Sequence, residues 1–237
     1  MAAFDRRSLL QLLLAAGTAR LIGGGGTANA AATGLEFGPP EPFSYDWLKQ
    51  HARKIAAKPY EPPPRPDPAI VARIDYDAHG KLRFRKEFAL YRDGAYPVTF
   101  QHVGMYFPKT VRMHAVDGET AREVVYDPDY FTIGADHVAA GLPHQPSAFA
   151  GFWVHDPVSK GELDKVELSA RGIALAPGGP GPEEFPDFVA YWFEPAGDAD
   201  QPVTVYALLD GPSVAGAYRF LLRRTTGVVM DIEAAIH

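Results

Sequence analysis

The sequence predicts a mainly β protein whose strands form an antiparallel β-sandwich, preceded by one short N-terminal helix. From residue 69 onward, short runs rich in Val, Thr, Phe and Tyr alternate apolar and polar side chains, which is typical of half-buried strands. Clusters of Gly, Pro and Asp separate these runs, and each of these residue types favours turns. Many short strands with few helices indicate a sandwich.

Residues 1–30 have the three parts of an export signal. Arg6 and Arg7 supply a positive n-region, and residues 9–16 form an apolar segment that falls short of the roughly 20 residues needed to span a bilayer. Ala28 and Ala30 fit a small-x-small cleavage site. The adjacent arginines resemble a twin-arginine signal, so we expect export by that route. An N-terminus without structure or export role is the alternative.

Residues 31–68 are predicted to form a helix followed by a proline-rich linker. Ser44 is a suitable N-cap for a helix over residues 44–57, because its hydroxyl can accept a backbone N–H. Pro59 ends this helix, and the prolines at 62–68 indicate an extended linker of polyproline type. The apolar stripe of the helix consists of Trp47, Leu48, Ala52 and Ile55.

The remaining residues, 69–237, are predicted to form the β-sandwich domain. Residues 206–220 have the pattern of a strand, an Asp-Gly-Pro-Ser turn and a second strand. The Asp117-Gly118 pair is a hairpin signal, because alternating runs lie on both sides of it. The predicted strands cover residues 81–84, 98–107, 111–116, 123–126, 149–155, 188–193, 203–209, 218–222 and 228–232.

Charge and composition exclude some partners and leave carbohydrate open. The formal net charge of -6 argues against nonspecific nucleic-acid binding, because such binding needs a basic face. The chain has no cysteine, which excludes disulfides and zinc-thiolate sites. Aromatic residues make up 12% of the chain, and they suit both the C–H faces of sugars and a β-sheet core.

No motif in the sequence indicates a metal, a cofactor or a nucleophilic catalyst. The eight histidines form neither an H-x-H nor an H-E-x-x-H pattern, and there is no nucleophile elbow or phosphate loop. Asp75 and Asp77 would share one face if the chain were extended there, which would make them a candidate carboxylate pair. A turn cap or a solvated face is the alternative for these two residues.

Seven blocks of the chain follow one another in the order found in a known family. They are FSYDWLKQHARKIAAKPYEPPP at 43–64, IDYDAHGKLRFR at 74–85, VRMHAVDG at 111–118, AFAGFWV at 148–154, LSARGIAL at 168–175, EEFPDFVAYWFE at 183–194 and YALLDGPSVAGAYRF at 206–220. On these blocks the chain resembles the periplasmic glucan biosynthesis proteins, the OpgG/OpgD (MdoG/MdoD) family, from about residue 37 to its end. The resemblance covers roughly the first half of a member. It implies a periplasmic, galactose-mutarotase-like β-sandwich with a long cleft, followed by an immunoglobulin-like domain.

The chain departs from the family pattern in two places. Members carry another strand after the AFAGFWV block, whereas here residues 155–167 lead directly into residues 168–172 (LSARG). Loss of an interior strand would leave backbone groups unpaired, so we expect this stretch either to rejoin the sheet differently or to leave it marginal. The chain also ends at His237. We therefore expect an incomplete sandwich without the family's downstream catalytic aspartates.

The resemblance implies hydrolysis or remodelling of β-1,2-linked glucans, and from it we predict a role in osmoregulated periplasmic glucan biosynthesis. We expect this chain to bind the glucan backbone without catalysis, so no catalytic residue is assigned. The expected partners are β-glucan and the periplasmic face of a membrane glucan synthase. A noncatalytic carbohydrate-binding module and a non-functional fragment are the alternatives.

The candidate glucan contacts are aromatic platforms and planar donors within the seven blocks. Arg83 and Arg85 alternate with apolar residues, so a strand there would place both arginines on one face. Core packing or surface ion pairing is the alternative for every candidate. The full set is Arg83, Arg85, Arg171, Tyr191, Trp192 and Tyr218.

Overall fold

The structure of the chain, a computed structural model, describes residues 34–142, 147–155, 166–168 and 183–237. Within these ranges, no helix combines the length and the hydropathy needed to cross a membrane. Some of the sequence predictions lie outside the described residues, namely the export signal with Arg6, Arg7, Ala28 and Ala30, and the candidate Arg171.

The described residues form short helices together with strands, and the strands are two to ten residues long. Helix α1 is Tyr45–Ala56, α2 is Pro68–Val71 and α3 is Tyr76–His79. The strands are β1 (Glu41–Pro42), β2 (Arg83–Phe84), β3 (Val98–His102), β4 (Arg112–Asp117), β5 (Thr120–Glu123), β6 (Phe131–Thr132), β7 (Phe149–His155), β8 (Val166–Leu168), β9 (Asp187–Glu194), β10 (Val203–Asp210), β11 (Ala215–Arg224) and β12 (Val228–Ile236). Short 3-10 helices lie at Lys86–Phe88, Pro128–Tyr130 and Val138–Gly141.

The strands form a large sheet, a smaller sheet and a short ribbon, which confirms the predicted mainly β sandwich. The large sheet has the order β1-β5-β4-β9-β10-β11-β12, the smaller sheet β3-β7-β8, and β2 pairs with β6. All described pairs are antiparallel except β4 with β9. The parallel pair arises because the chain leaves the large sheet after β5, builds β6 to β8 and returns as β9 in the direction of β4.

The core lies between the two sheets and is rich in aromatic rings. Because successive residues of a strand face opposite sides, Phe100 of β3 points inward together with Phe152 and Val154 of β7. Phe193 of β9 is fully buried, and its ring centroid lies 4.8 Å from Phe152 and 6.0 Å from Phe100. Aromatic contacts of this kind join the two sheets.

Helix α1 covers the other face of the large sheet, as its apolar stripe predicts. The Ser44 hydroxyl accepts a hydrogen bond from the Trp47 amide at 3.1 Å, so Ser44 is the N-cap. Leu48 and Ala52 are fully buried in a cluster that includes Trp192 of β9. The predicted helix is confirmed, and burial of Leu48 and Ala52 fixes it on the sheet, whereas Trp47 of the predicted stripe is 40% exposed.

The stretch after the linker is helical where the sequence predicts mainly β structure. Asp75 is the N-cap of α3, because its Oδ1 accepts from the Ala78 amide at 2.9 Å, and Asp77 lies in the first turn of that helix. A cap and a helical residue do not share a strand face. The hypothesis of an Asp75–Asp77 carboxylate pair is therefore wrong, and the turn-cap alternative holds for Asp75.

Most predicted strands have different bounds in the structure, and for two of them the cause is a local turn. The strand predicted at 98–107 ends at His102, where the chain turns beside α3. Gly104 follows at this turn, and a Cβ there would lie 2.7 Å from the His79 ring, so only glycine fits without a shift. The second arm of the hairpin at Gly118 is Thr120–Glu123 rather than 123–126, because Gly118 takes a φ of 59° in a tight turn.

Residues 166–168, at the end of the shortened stretch, form strand β8 of the smaller sheet. Strand β8 pairs antiparallel with β7, with Leu168 opposite Val154 and Val166 opposite His155. This is the first of the two outcomes expected from the sequence. Its consequence is that an edge of β7 is covered by a short strand.

Candidate functional site

A groove crosses the outer face of the smaller sheet, and we call it the Trp153 groove. It is defined by Thr99 and Gln101 of β3, Gly151 and Trp153 of β7, and Phe107. In the register of the sheet, Thr99 lies opposite Trp153 and Gln101 opposite Gly151. Two cavities of about 370 and 590 Å³ share Gln101, Phe107 and Trp153 as lining residues. The two cavities of the groove therefore adjoin, and Trp153 lies at the wall that they share.

The first cavity combines an exposed aromatic ring with a fixed ion pair. Tyr106 lines it and is 65% exposed. Lys109 Nζ lies 2.6 Å from Asp187 Oδ2, and the Tyr60 hydroxyl donates to the same oxygen at 3.1 Å. Partial burial and then the charge of Asp187 raise the pKa of Tyr60 to about 12, so this hydroxyl remains a donor at neutral pH.

The second cavity brings together two predicted candidates, Arg83 and Arg85. Arg85 is held by its neighbours, because Nη2 lies 2.7 Å from Glu87 Oε1 and Nη1 donates to the Asp129 carbonyl at 3.1 Å. Its guanidinium also lies over the Phe88 ring, 5.0 Å from the centroid. Arg83 is exposed and forms no ion pair with any other described residue. Of the two, Arg83 is the one whose donors are available to a ligand.

The candidates Tyr191 and Tyr218 are core residues. Tyr191 packs against Phe152 with ring centroids 4.7 Å apart, and burial raises the pKa of its hydroxyl. Tyr218 is buried edge-on against Phe188, at 5.3 Å between centroids. Tyr191 also borders the first cavity, whereas Tyr218 is not among the described residues that line either cavity. Packing is the role that the structure shows for both side chains.

Trp192 lies on the face of the large sheet that α1 covers. It is only 5% exposed. Its ring stacks between Phe43, at 5.2 Å, and His114, at 4.6 Å between centroids. This position is separated from the Trp153 groove by the core of the sandwich, so the structure does not bring Trp192 together with Arg83 and Arg85.

The buried histidines have structural partners. His102 Nδ1 lies 2.9 Å from the Val103 carbonyl oxygen and Nε2 lies 3.2 Å from the Tyr126 hydroxyl. His114 Nδ1 lies 2.9 Å from the Tyr191 carbonyl oxygen. Burial lowers the pKa of His102 and of His114 to about 4, so both rings are neutral at neutral pH. Across the described ranges, no group of three metal-binding side chains occurs.

Sequence reasoning missed Trp153, Gln101 and Phe107, the three residues common to both cavities. The signal for Trp153 was present, because Phe152 and Val154 are core residues and strand alternation then places Trp153 on the outer face. The same alternation places Gln101 on the outer face, because Phe100 beside it is a core residue, and its position opposite Gly151 then puts it in the groove.

Fold and groove together define a class, a two-sheet β-sandwich protein with an open groove of aromatic, amide and guanidinium groups on its smaller sheet. Two carboxylates line the described part of the groove, Glu87 and Asp187, and both are ion-paired. Such a surface offers ring faces and several hydrogen-bond donors to an extended polar ligand.

Comparison with known proteins places the chain in a family. A family model described as periplasmic glucan biosynthesis protein, MdoG, matches residues 43–167 and 159–237. The chain belongs to this family, which confirms the resemblance carried by the seven blocks. The two matched segments overlap at 159–167, within the stretch where the sequence is shorter than the family pattern. The family is periplasmic by description, in agreement with the predicted export.

Curated relatives show the same relationship. The chain is 44% identical over 234 residues to glucans biosynthesis protein D 2 of Ralstonia nicotianae (strain ATCC BAA-1114 / GMI1000), covering 87% of this chain and 43% of the relative. It is 36% identical over 255 residues to glucans biosynthesis protein D of Xylella fastidiosa (strain 9a5c), covering 98% and 47%. It is 35% identical over 227 residues to the protein of that name in Xanthomonas campestris pv. campestris (strain B100), covering 88% and 43%. The chain thus spans about half the length of the curated relatives it matches.

Proposed function

We propose that this chain binds the glucan backbone during periplasmic glucan biosynthesis, with the Trp153 groove as its binding surface. The single observation that carries the proposal is the position of Trp153, a partly exposed indole shared by two adjoining cavities on the outer face of a sheet. The names of the curated relatives supply the ligand class, because each is a glucans biosynthesis protein.

The groove offers the groups that a glucan chain needs. The indole face of Trp153 suits the C–H face of a glucose ring, and Tyr106 provides a second exposed ring along the groove. The guanidinium of Arg83 and the amide of Gln101 can bond to sugar hydroxyls. An extended groove fits a polysaccharide better than a compact metabolite, because contacts repeat along its length.

We propose binding without hydrolysis by this chain. Glycoside hydrolysis uses two carboxyl groups that flank the bond, one of which must be protonated. The described carboxylates of the groove are held by cationic neighbours, Glu87 by Arg85 and Asp187 by Lys109. We assign no acid or nucleophile to them. A noncatalytic carbohydrate-binding module is the form of the proposal that this arrangement favours.

The proposal also includes an export route for the chain and a membrane partner. Arg6 and Arg7 followed by a short apolar segment support the twin-arginine route to the periplasm. A glucan-binding protein in the periplasm would meet the glucan where the synthase releases it. The periplasmic face of a membrane glucan synthase is therefore the proposed partner.

Fusion of residues 1–33 to a reporter tests the export route. We expect export to stop when Arg6 and Arg7 are both replaced by Lys.

The Trp153→Ala variant tests the proposed groove. We expect its retention by immobilised linear β-1,2-glucan to fall about 10-fold, because aromatic anchors at the centre of a binding surface carry much of the affinity. Affinity electrophoresis measures the retention, and a thermal melt recorded beside it shows that the fold is intact.

The matched control is Trp47→Ala, since Trp47 is also exposed but lies on α1, at the other face of the large sheet. Equal retention of Trp153→Ala and the unchanged protein would contradict the proposed groove. Short oligosaccharides released from the glucan would contradict binding without hydrolysis, and the lack of a cooperative melt would favour the non-functional fragment.

A further inference from the structure

Gly151 is a glycine inside strand β7 that the backbone conformation does not require. The described glycines with a positive φ are Gly34 and Gly118, so the φ of Gly151 is one that other residues also adopt. Glycine within a strand costs stability, because it has no side chain to pack and loses more conformational freedom on folding than other residues. What glycine provides at this position is therefore open space above the strand.

The side chain of Gln101 occupies that space. Gln101 lies directly opposite Gly151 in the register of β3 and β7. A Cβ on Gly151 would lie 3.0 Å from Gln101 Oε1 and 3.5 Å from Gln101 Cδ, and the first of these distances is shorter than an ordinary van der Waals contact. The amide end of Gln101 therefore folds over Gly151, and a methyl group at position 151 would displace it.

Packing, and not hydrogen bonding, holds the Gln101 amide in this place. Across the part of the chain that the structure describes, no group forms a hydrogen bond with this amide. The register shifts directly after Gln101, where Ala150 is an extra residue on β7. Such bulges re-aim neighbouring side chains and are frequent next to active sites. The donor and acceptor groups of Gln101 are therefore fixed in direction and available to a ligand in the groove.

Trp153 is the neighbour that a displaced Gln101 amide would meet. It is the next residue of β7 on the outer face, diagonal to Gln101 across the strand pair, and long side chains reach such diagonal neighbours. We propose that Gly151 is a positioning residue of the Trp153 groove. It keeps the Gln101 amide beside the indole, so that a sugar ring can stack on the indole face while the amide bonds to its hydroxyls. This inference rests on the proposed glucan binding.

The Gly151→Ala variant tests this role by adding one methyl group. We expect retention by immobilised linear β-1,2-glucan to fall about 10-fold, because the displaced amide covers the central aromatic anchor. The thermal melt should stay unchanged or rise, since alanine loses less conformational freedom on folding than glycine. Gln101→Ala alone should lower retention about 3-fold, through the loss of one hydrogen bond. The matched control is Gly227→Ala, because a Cβ on Gly227 would meet no atom within 4 Å.

The double variant Gly151→Ala/Gln101→Ala separates positioning from a structural effect. We expect it to retain glucan as well as Gln101→Ala does and better than Gly151→Ala does, because no amide remains to be displaced. Equal losses from the added methyl group in both backgrounds would overturn the proposal. The methyl group itself would then block the ligand or distort the strand.

Quenching of tryptophan fluorescence by acrylamide tests the same geometry without glucan. The chain has three tryptophans and Trp192 is only 5% exposed, so Trp47→Phe leaves Trp153 as the accessible one. In that background we expect Gly151→Ala to lower the quenching and the further change Gln101→Ala to restore it. Unchanged quenching in Gly151→Ala would overturn the positioning role and leave the glucan proposal standing. The expected quenching together with unaltered glucan retention in every variant, Trp153→Ala included, would support the placement of Gln101 and contradict the glucan proposal alone.

Discussion

Trp153 and Trp192 show how the layer that covers a strand decides between an open groove and a buried cluster. Both lie in strands between two core residues, Trp153 between Phe152 and Val154, Trp192 between Tyr191 and Phe193. Alternation therefore turns both tryptophans away from the sandwich core. The difference is what covers them, because α1 packs over Trp192 and leaves the ring only 5% exposed.

Arg83 of β2 and Arg85, which follows that strand, give a prediction at the scale of single residues. We expect Arg83→Ala to weaken glucan retention about 5-fold, which corresponds to about 1 kcal/mol, the typical net contribution of one hydrogen bond. Arg85→Ala should weaken it less, because the Arg85 guanidinium is already engaged by Glu87 and the Asp129 carbonyl. Affinity electrophoresis of the two variants side by side is the measurement. A larger loss for Arg85→Ala than for Arg83→Ala would reverse these assignments.

At the scale of elements, α1 is held by a local cap and by burial on the sheet. The cap is the Ser44 hydroxyl, and Leu48 and Ala52 supply the buried face. Isolated helices of 12 residues are marginal in water, so the sheet contact stabilises most of this helix. The helix in turn covers Trp192 and Phe43, which lie on the face of the large sheet opposite the sandwich core.

Removal of the cap should therefore have a modest and measurable effect. We expect Ser44→Ala to lower the free energy of unfolding by about 1 kcal/mol, because the Trp47 amide loses its acceptor at the helix N-terminus. Urea denaturation followed by circular dichroism gives this value. Ser44→Asp is the control, since aspartate keeps an oxygen acceptor at the cap. A loss of similar size in both variants would show that the hydroxyl bond is not the cause.

At the scale of the whole molecule, two buried neutral histidines make the stability of the fold depend on pH. His102 and His114 have pKa values lowered to about 4 by burial, against 6.5 when unfolded. The unfolded chain therefore binds more protons than the folded chain between these values, and stability falls as pH drops through that window. Each histidine contributes on the order of 3 kcal/mol to this fall, and below pH 4 the contribution no longer changes.

Denaturation at pH 7 and pH 5 should show this dependence directly. We expect a lower urea midpoint at pH 5, and a smaller difference in His102→Gln, because glutamine can keep polar contacts with Tyr126 and Val103 without titrating. Between pH 5 and pH 7 most carboxylates are ionised, so histidines dominate the change in this range. An unchanged midpoint between pH 7 and pH 5 would mean that the buried rings are not the responsible groups.

The sequence by itself determined the class of fold, helix α1 and the family, because these depend on local signals. Alternating runs and turn residues predict strands, Ser44 predicts a cap, and seven ordered blocks carry the resemblance. At Asp75 the local signals left two alternatives open, a carboxylate pair with Asp77 and a turn cap, and the structure shows the cap. An aspartate that caps a single helical turn cannot be told in sequence from an aspartate on a strand. The four residues of such a turn are too few to show a helical period.

Only the tertiary structure decided which faces are covered and which strands become neighbours. The parallel pairing of β4 with β9, the partners of Arg85, the shelter of Trp192 under α1 and the position of Gln101 opposite Gly151 depend on residues far apart in the chain. Alternation along a strand says only that two faces differ, whereas the layer that packs on each face is supplied by distant segments. For that reason the groove at Trp153 could not be predicted from the sequence, because distant segments of the folded chain line it.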